Sequence, residues 1–193
     1  MNRTTKLILG IIVVALIAVG AYVALNKGGV IGKETYTNKE LGFSFAYRGG
    51  ASGYELKEAK ATEEVENGFK TNVVMMLKTD ADELRKSQAA REGPPTLGVL
   101  VFKNVSNFTS REWTEHNPSY SNYGAQSSNI REYELDGTKA MRYLVDGLYR
   151  IDTVVVAQGQ YIYVFTGAYQ EDTSRIKSDF EPLLNSVTFT EVP

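Results

Sequence analysis

Residues 128–168 read SNIREYELDGTKAMRYLVDGLYRIDTVVVAQGQYIYVFTGA, and this stretch decides the fold. Asp136-Gly137, Asp146-Gly147 and Gln158-Gly159 divide it into four β-rich segments, 128–135, 138–145, 148–157 and 160–168. Asp-Gly is favoured in two-residue hairpin turns because both central residues need positive φ. Strands joined this closely must be antiparallel neighbours, since a parallel pair needs a long crossover.

The pattern continues upstream. Leu97 to Lys103 (LGVLVFK) is apolar on both faces, which suits a central strand. Asn72 to Lys78 (NVVMMLK) and residues 53–59 are expected as further strands. Two extended segments open the domain, 34–38 and 42–47. In the second, Phe43 and Phe45 alternate with Ser44 and Ala46, the period of a half-buried strand.

Helices are few. Thr109-Ser110-Arg111-Glu112 has the spacing of a capping box ahead of a short helix that Asn117-Pro118 must end. A last helix is expected to begin near Asp172. Ile176, Phe180, Leu183 and Leu184 then fall on one face, to be laid on the sheet, and Pro182 should distort the final turn. A terminal strand over Val187–Thr190 follows. Residues 80–91 read as a weaker helix, with Asp80 and Glu83 as candidate caps and Leu84 on its buried side.

The opening Tyr36-Thr37-Asn38 through Leu41-Gly42-Phe43-Ser44-Phe45, the hairpins, and the closing Asp179-Phe180-Glu181-Pro182-Leu183-Leu184-Asn185-Ser186-Val187-Thr188-Phe189 together resemble the PsbP-like superfamily. A small Ran-binding nuclear-import protein and many bacterial anchored or secreted proteins share that fold. The resemblance covers roughly 34–191. It implies an α+β domain with an antiparallel sheet of about six or more strands and helices on both faces. Such domains often continue after the aromatic strand with a proline and a tryptophan. Here Tyr47 is followed by Arg48-Gly49-Gly50, and Tyr54 is the candidate to fill that space. The resembling residues are core signatures, so they carry no functional residue across.

Ahead of the domain, residues 7–25 (LILGIIVVALIAVGAYVAL) form an uncharged apolar run. As a helix it would span about 29 Å, close to a bilayer's hydrocarbon core. Arg3 and Lys6 precede it, so residues 1–6 are expected in the cytoplasm and the remainder outside. The run exceeds the 7–15 residues usual for a signal-peptide core, which favours a single-pass anchor in a cell membrane over cleavage. Lipid attachment would need a cysteine, and the chain has none. Residues 26–33 (NKGGVIGK) read as a flexible linker, and 34–193 as one extracytoplasmic domain.

Composition removes several function classes. All 23 acidic residues lie after residue 33, and the net charge of the whole chain is −2. That balance opposes a nucleic-acid partner, which wants a basic face. The absence of cysteine excludes disulfides, zinc–thiolate sites and thiol catalysis. The single histidine, His116, cannot build a multi-histidine metal site, and no Gly-x-Ser-x-Gly elbow offers it a nucleophile. At a helix end its charge would suit the dipole.

The other clusters have ordinary explanations. Asp80, Asp82 and Glu83 lack the glycine and distal glutamate of a calcium loop and suit a helix's first turn. Glu63, Glu64 and Glu66 suit a solvated loop or edge strand. Gly93-Pro94-Pro95 suits a rigid lead into the next strand. The sequons at Asn104 and Asn107 are equally turn residues.

The best candidate for binding is the loop Asn117–Gln126 (NPSYSNYGAQ) with Trp113, Tyr120 and Tyr123. Amphipathic aromatics on a polar loop serve as interface anchors. Trp113, being on a helix, has a competing core role. The expected function is a non-catalytic, cofactor-free binding or accessory domain for an envelope protein or glycan. A hydrolase with an acidic site and a structural envelope component are the alternatives.

Overall fold

All three hairpins form, but only Asp136-Gly137 is the two-residue turn its residues predict; the turn expected at Gln158-Gly159 falls one residue later. Leu135 pairs with Thr138 across Asp136-Gly137, whose φ values are 49° and 74°, as a type I′ turn demands. Gln158 pairs with Tyr161 across Gly159-Gln160, where Gly159 has φ 57°. The expected two-residue turn at Asp146-Gly147 does not form. Asp146 pairs with Arg150, leaving Gly147, Leu148 and Tyr149 as a three-residue loop. The Gly147 N–H donates to the Tyr149 carbonyl at 3.1 Å, and the Arg150 guanidinium lies 3.5 Å from the Asp146 carboxylate across the wider mouth.

The computed structural model describes residues 32–61, 68–87 and 93–192. The run 7–25, residues 1–6, linker residues 26–31, the acidic residues Glu63, Glu64 and Glu66, and positions 88–91 of the weaker helix lie outside the described residues. Among the described residues no helix is long and apolar enough to cross a membrane.

The domain is mostly β. Its strands are β1 (Lys33–Asn38), β2 (Phe43–Arg48), β3 (Tyr54–Lys60), β4 (Phe69–Leu77), β5 (Thr96–Lys103), β6 (Arg131–Leu135), β7 (Thr138–Asp146), β8 (Arg150–Gln158), β9 (Tyr161–Tyr169) and β10 (Thr188–Phe189). Helix α1 is Lys78–Lys86, α2 Ser110–His116, α3 the single turn Pro118–Ser121 and α4 Arg175–Leu184. Strands β3-β4-β5-β9-β8-β7-β6 form one antiparallel seven-stranded sheet. Strand β5 is central, as its two apolar faces require.

The large sheet is covered on both faces. Along β9, Tyr163, Phe165 and Tyr169 enter one core with Phe180, while Ile162 and Val164 enter the other with Trp113. This is the period of two at work. Helices α2 and α3 accompany the second core. The first is covered by α4 and by a separate three-stranded sheet, β1-β2-β10. That second sheet was not part of the sequence expectation. Phe43 and Phe45 are buried as their alternation predicts, but the ring of Phe43 packs on Tyr163 at 5.2 Å across the layers, and among the described residues β2 pairs with β1 and β10 alone. Alternation identifies the buried face of a strand and not its hydrogen-bonding partners.

Helix boundaries differ in detail. Helix α4 starts at Arg175, capped by Ser174, whose Oγ accepts from the Lys177 N–H at 3.3 Å. Asp172 instead pairs with Lys177 and Arg150. Pro182 lies inside the helix without ending it, and the chain closes with the Asn185 N–H on the Glu181 carbonyl. Helix α1 begins at Lys78 with no side-chain cap, so neither Asp80 nor Glu83 caps it, and its buried residue is Ala81.

Candidate partner-binding surface

The capping box forms as read. The Thr109 Oγ1 accepts from the Glu112 N–H at 3.2 Å, and the Glu112 carboxylate accepts from the Thr109 N–H at 2.8 Å. That bond holds the Glu112 carboxyl below its ordinary pKa. Ser110 fastens α2 to the sheet, donating to the Lys139 carbonyl at 3.2 Å and accepting from the Ala157 N–H at 2.9 Å. The helix therefore has one orientation, and it turns Trp113 inward.

The three aromatics meet different fates. Trp113 is only 4% exposed, with its ring 5.0 Å from Phe102. Its role is core, and it presents no surface to a partner. Tyr120 also packs on Phe102, at 4.9 Å, but remains 37% exposed. Tyr123 is half-buried and donates its N–H to Ser121 Oγ at 3.2 Å. Sequence spacing alone does not distinguish them, because the direction of a helix face depends on what it packs against.

The loop beneath the two tyrosines is rigid. Ser121 is buried, and its Oγ donates to the Thr114 carbonyl at 2.7 Å. Tyr143 reaches up from β7 and donates its hydroxyl to the Ser121 carbonyl at 2.6 Å. Asn122 takes the left-handed conformation, φ 53°, that ends α3. Gln126 bridges to Val145, and the Ser127 N–H donates to the Leu144 carbonyl at 2.8 Å.

Burial raises the Tyr143 phenol to about 12. The pKa is higher in the folded state, so the protonated phenol contributes stability below pH 10 that is lost as pH rises towards 12. Tyr36 and Tyr47 are also raised to about 12, chiefly by burial. Phenolate absorbance is therefore expected to rise later in the folded protein than in the unfolded chain. Coincident titration curves would show these hydroxyls to be open to solvent.

One exposed residue was missed by sequence reading. Val105, read only as the middle of a sequon, is 69% exposed just beyond the end of β5. The sequon's own Asn104 is buried, donating to the Phe108 carbonyl and accepting from its N–H. Asn107 takes φ 51° in the turn. His116 ends α2 with Nδ1 2.7 Å from the Glu112 carbonyl and its ring stacked on Phe108.

Two cavities open elsewhere on the domain. One of about 690 Å³ lies between the start of α2 and the β6 edge, lined by Arg111, Glu132, Glu134, Lys139 and Met141 among others. Another, of about 470 Å³, lies beside α4, with Arg131, Arg142, Asp152, Tyr169 and Lys177 in its walls. Among the described residues no group of three or more histidine, aspartate or glutamate side chains could hold a metal. In the acidic segment of α1, Asp82 pairs with Arg85 at 2.7 Å.

No known family matches the chain in sequence. No curated protein matches it either. Its fold does have known counterparts. The solution structure of cyanobacterial PsbP (CyanoP) from Synechocystis sp. PCC 6803 matches with a TM-score of 0.53 and 15% identity, over 82% of this chain and 93% of that one. A crystal structure from Bacteroides thetaiotaomicron VPI-5482 matches with a TM-score of 0.48 and 11% identity, over 83% of this chain and 49% of that one. At such identity the likeness to cyanobacterial PsbP is one of fold: the domain has a PsbP-like fold.

Proposed function

We propose that this chain is a membrane-anchored, extracytoplasmic binding domain that works without catalysis. The apolar run 7–25 holds it in a cell membrane with residues 1–6 in the cytoplasm, and an envelope protein or glycan is its partner. The observation that carries the reading is the pre-organised loop of Tyr120 and Tyr123. A loop already held in one conformation loses little entropy on binding. The PsbP-like fold is in keeping with an accessory role.

The test is a pull-down from solubilised membranes with the intact chain and with a Tyr120→Ala, Tyr123→Ala variant. Truncating an aromatic anchor commonly costs about 2 kcal/mol or more, roughly a thirtyfold loss of affinity. Partner recovery should fall accordingly, compared at a temperature where circular dichroism shows the variant still folded, because Tyr120 also packs on Phe102 and its truncation costs some stability. Equal recovery would remove the loop from the interface, and turnover of an ester, peptide or glycan substrate would overturn the non-catalytic reading. Resistance of the chain to extraction by alkaline carbonate tests the anchor.

A further inference from the structure

The described chain begins at one particular end of the domain. Lys33 pairs with Arg48, and the Gly49 N–H donates to the Gly32 carbonyl. From there a chain of contacts crosses the same end of the large sheet. The Lys78 ammonium donates to the Gly50 carbonyl at 2.8 Å, and Arg175 to the Ser52 carbonyl at 3.1 Å. Asp172, just ahead of α4, lies 3.5 Å from Arg150 at the start of β8. Next to Arg150 is the three-residue loop Gly147–Tyr149, with Leu148 at its tip. Leu148 is 58% exposed. The Tyr149 hydroxyl holds this loop to the Gly93 carbonyl at 2.8 Å.

We infer that this end of the domain, with Leu148 at its tip and Lys33, Lys78 and Arg175 around it, docks on the surface of the bilayer in which residues 7–25 sit, against anionic headgroups. The inference rests on the anchored reading above. From residue 25 to Gly32 the chain can span at most about 25 Å. A nine-residue strand such as β9 is itself about 30 Å long. The Gly32 end is therefore the end the tether brings to the lipid, and Val105, beyond the opposite end of β5, points away from it.

The chemistry of this end fits headgroups. Lys78 and Arg175 donate to backbone carbonyls, and among the described residues neither they nor Lys33 is ion-paired. Three nearby carboxylates are ion-paired, Asp146 with Arg150, Asp172 with Arg150 and Lys177, and Asp179 with Arg48, while Glu34 accepts from the Tyr47 hydroxyl. Asp80 and Glu83 of α1, and Glu171, have no ion pair among the described residues, so the net positive charge of this end is small. Basic residues near a membrane surface are drawn to anionic lipid, and an exposed leucine among them gains by entering the acyl boundary.

Because the chain has no cysteine, single labels can be placed cleanly. Leu148→Cys and Val105→Cys variants of the full chain, each carrying an environment-sensitive fluorophore, are reconstituted in phosphatidylcholine vesicles with and without phosphatidylglycerol. Quenching by spin-labelled lipid should be several-fold stronger at 148 than at 105, and stronger with phosphatidylglycerol than without. A Lys78→Gln, Arg175→Gln variant should lose the phosphatidylglycerol-dependent part. Equal quenching at 148 and 105 in a chain that resists carbonate extraction would overturn the docking and leave the anchor standing. Extraction of the chain by carbonate would overturn the anchor and the docking with it.

Discussion

Phe180→Ala is expected to destabilise the domain by about 3–5 kcal/mol, the range for deleting a fully buried ring. Phe180 is 2% exposed. Its ring lies directly on Gly167 of β9, so closely that a Cβ there would come within 2.9 Å of it. The cavity left by the ring has little freedom to collapse, because both neighbours of Phe180 are pinned. Asp179 receives a bidentate pair from Arg48 of β2, at 3.0 and 2.7 Å, and a third hydrogen bond from Tyr54. Glu181 receives Arg142 of β7 at 2.7 Å. Urea unfolding of the domain, followed by the fluorescence of its single tryptophan, Trp113, measures the loss. Trp113 reports from the opposite face of the sheet, so agreement with circular dichroism also tests whether both cores melt together. A loss below about 1 kcal/mol would mean that α4 closes over the gap, as a repackable site would.

Arg142→Ala is expected to cost a similar amount, about 3–5 kcal/mol, by a different route. Arg142 is buried in β7 and forms a fork with Asp152 of β8, Nε at 3.0 Å and Nη2 at 2.7 Å, while Nη1 reaches Glu181. Its guanidinium also lies 5.1 Å from the centre of the Tyr133 ring and 5.8 Å from that of Phe180. Burial opposes its charge, but the hydrogen bonds to Asp152 and Glu181 outweigh this and raise its pKa. Removing it leaves the Asp152 carboxylate partly buried with no cation. An Arg142→Met, Asp152→Leu double variant should recover much of the loss, because it removes both charges and keeps the volume. Additive losses in that cycle would show that the two side chains are not coupled.

These two residues differ in how visible they were. Phe180 could be read from spacing, since Ile176, Phe180, Leu183 and Leu184 fall on one helical face, and all four are buried. Arg142 gave no signal. It sits in a strand where Ala140, Met141 and Tyr143 are buried with it, and its importance comes from Asp152 on the next strand and Glu181 on a helix far along the chain. The tyrosine loop was half legible. Its composition marked it as a surface turn, but only the tertiary packing, in which both Trp113 and Tyr120 meet Phe102, decides that the first is core and the second partly exposed. Tyr54 does enter the core beside β2, with its hydroxyl on Asp179.

By itself the sequence determined what local forces control. Asp136-Gly137 turns where it does because glycine and aspartate accept positive φ. The capping box at Thr109 starts α2 because its partners are three residues apart. Strand β5 lies inside the sheet, between β4 and β9, because its apolar residues fall on both faces. The tertiary structure decided what depends on residues distant in the chain. It split the strands into two sheets, because β2 could bury its phenylalanines against Tyr163 without pairing to the large sheet. It widened the Asp146-Gly147 turn to place Leu148 at a tip, and it set that tip at the same end as Gly32 through Arg150, Asp172 and Arg175. Periodicity specifies which face of an element avoids water, and only packing specifies what covers it.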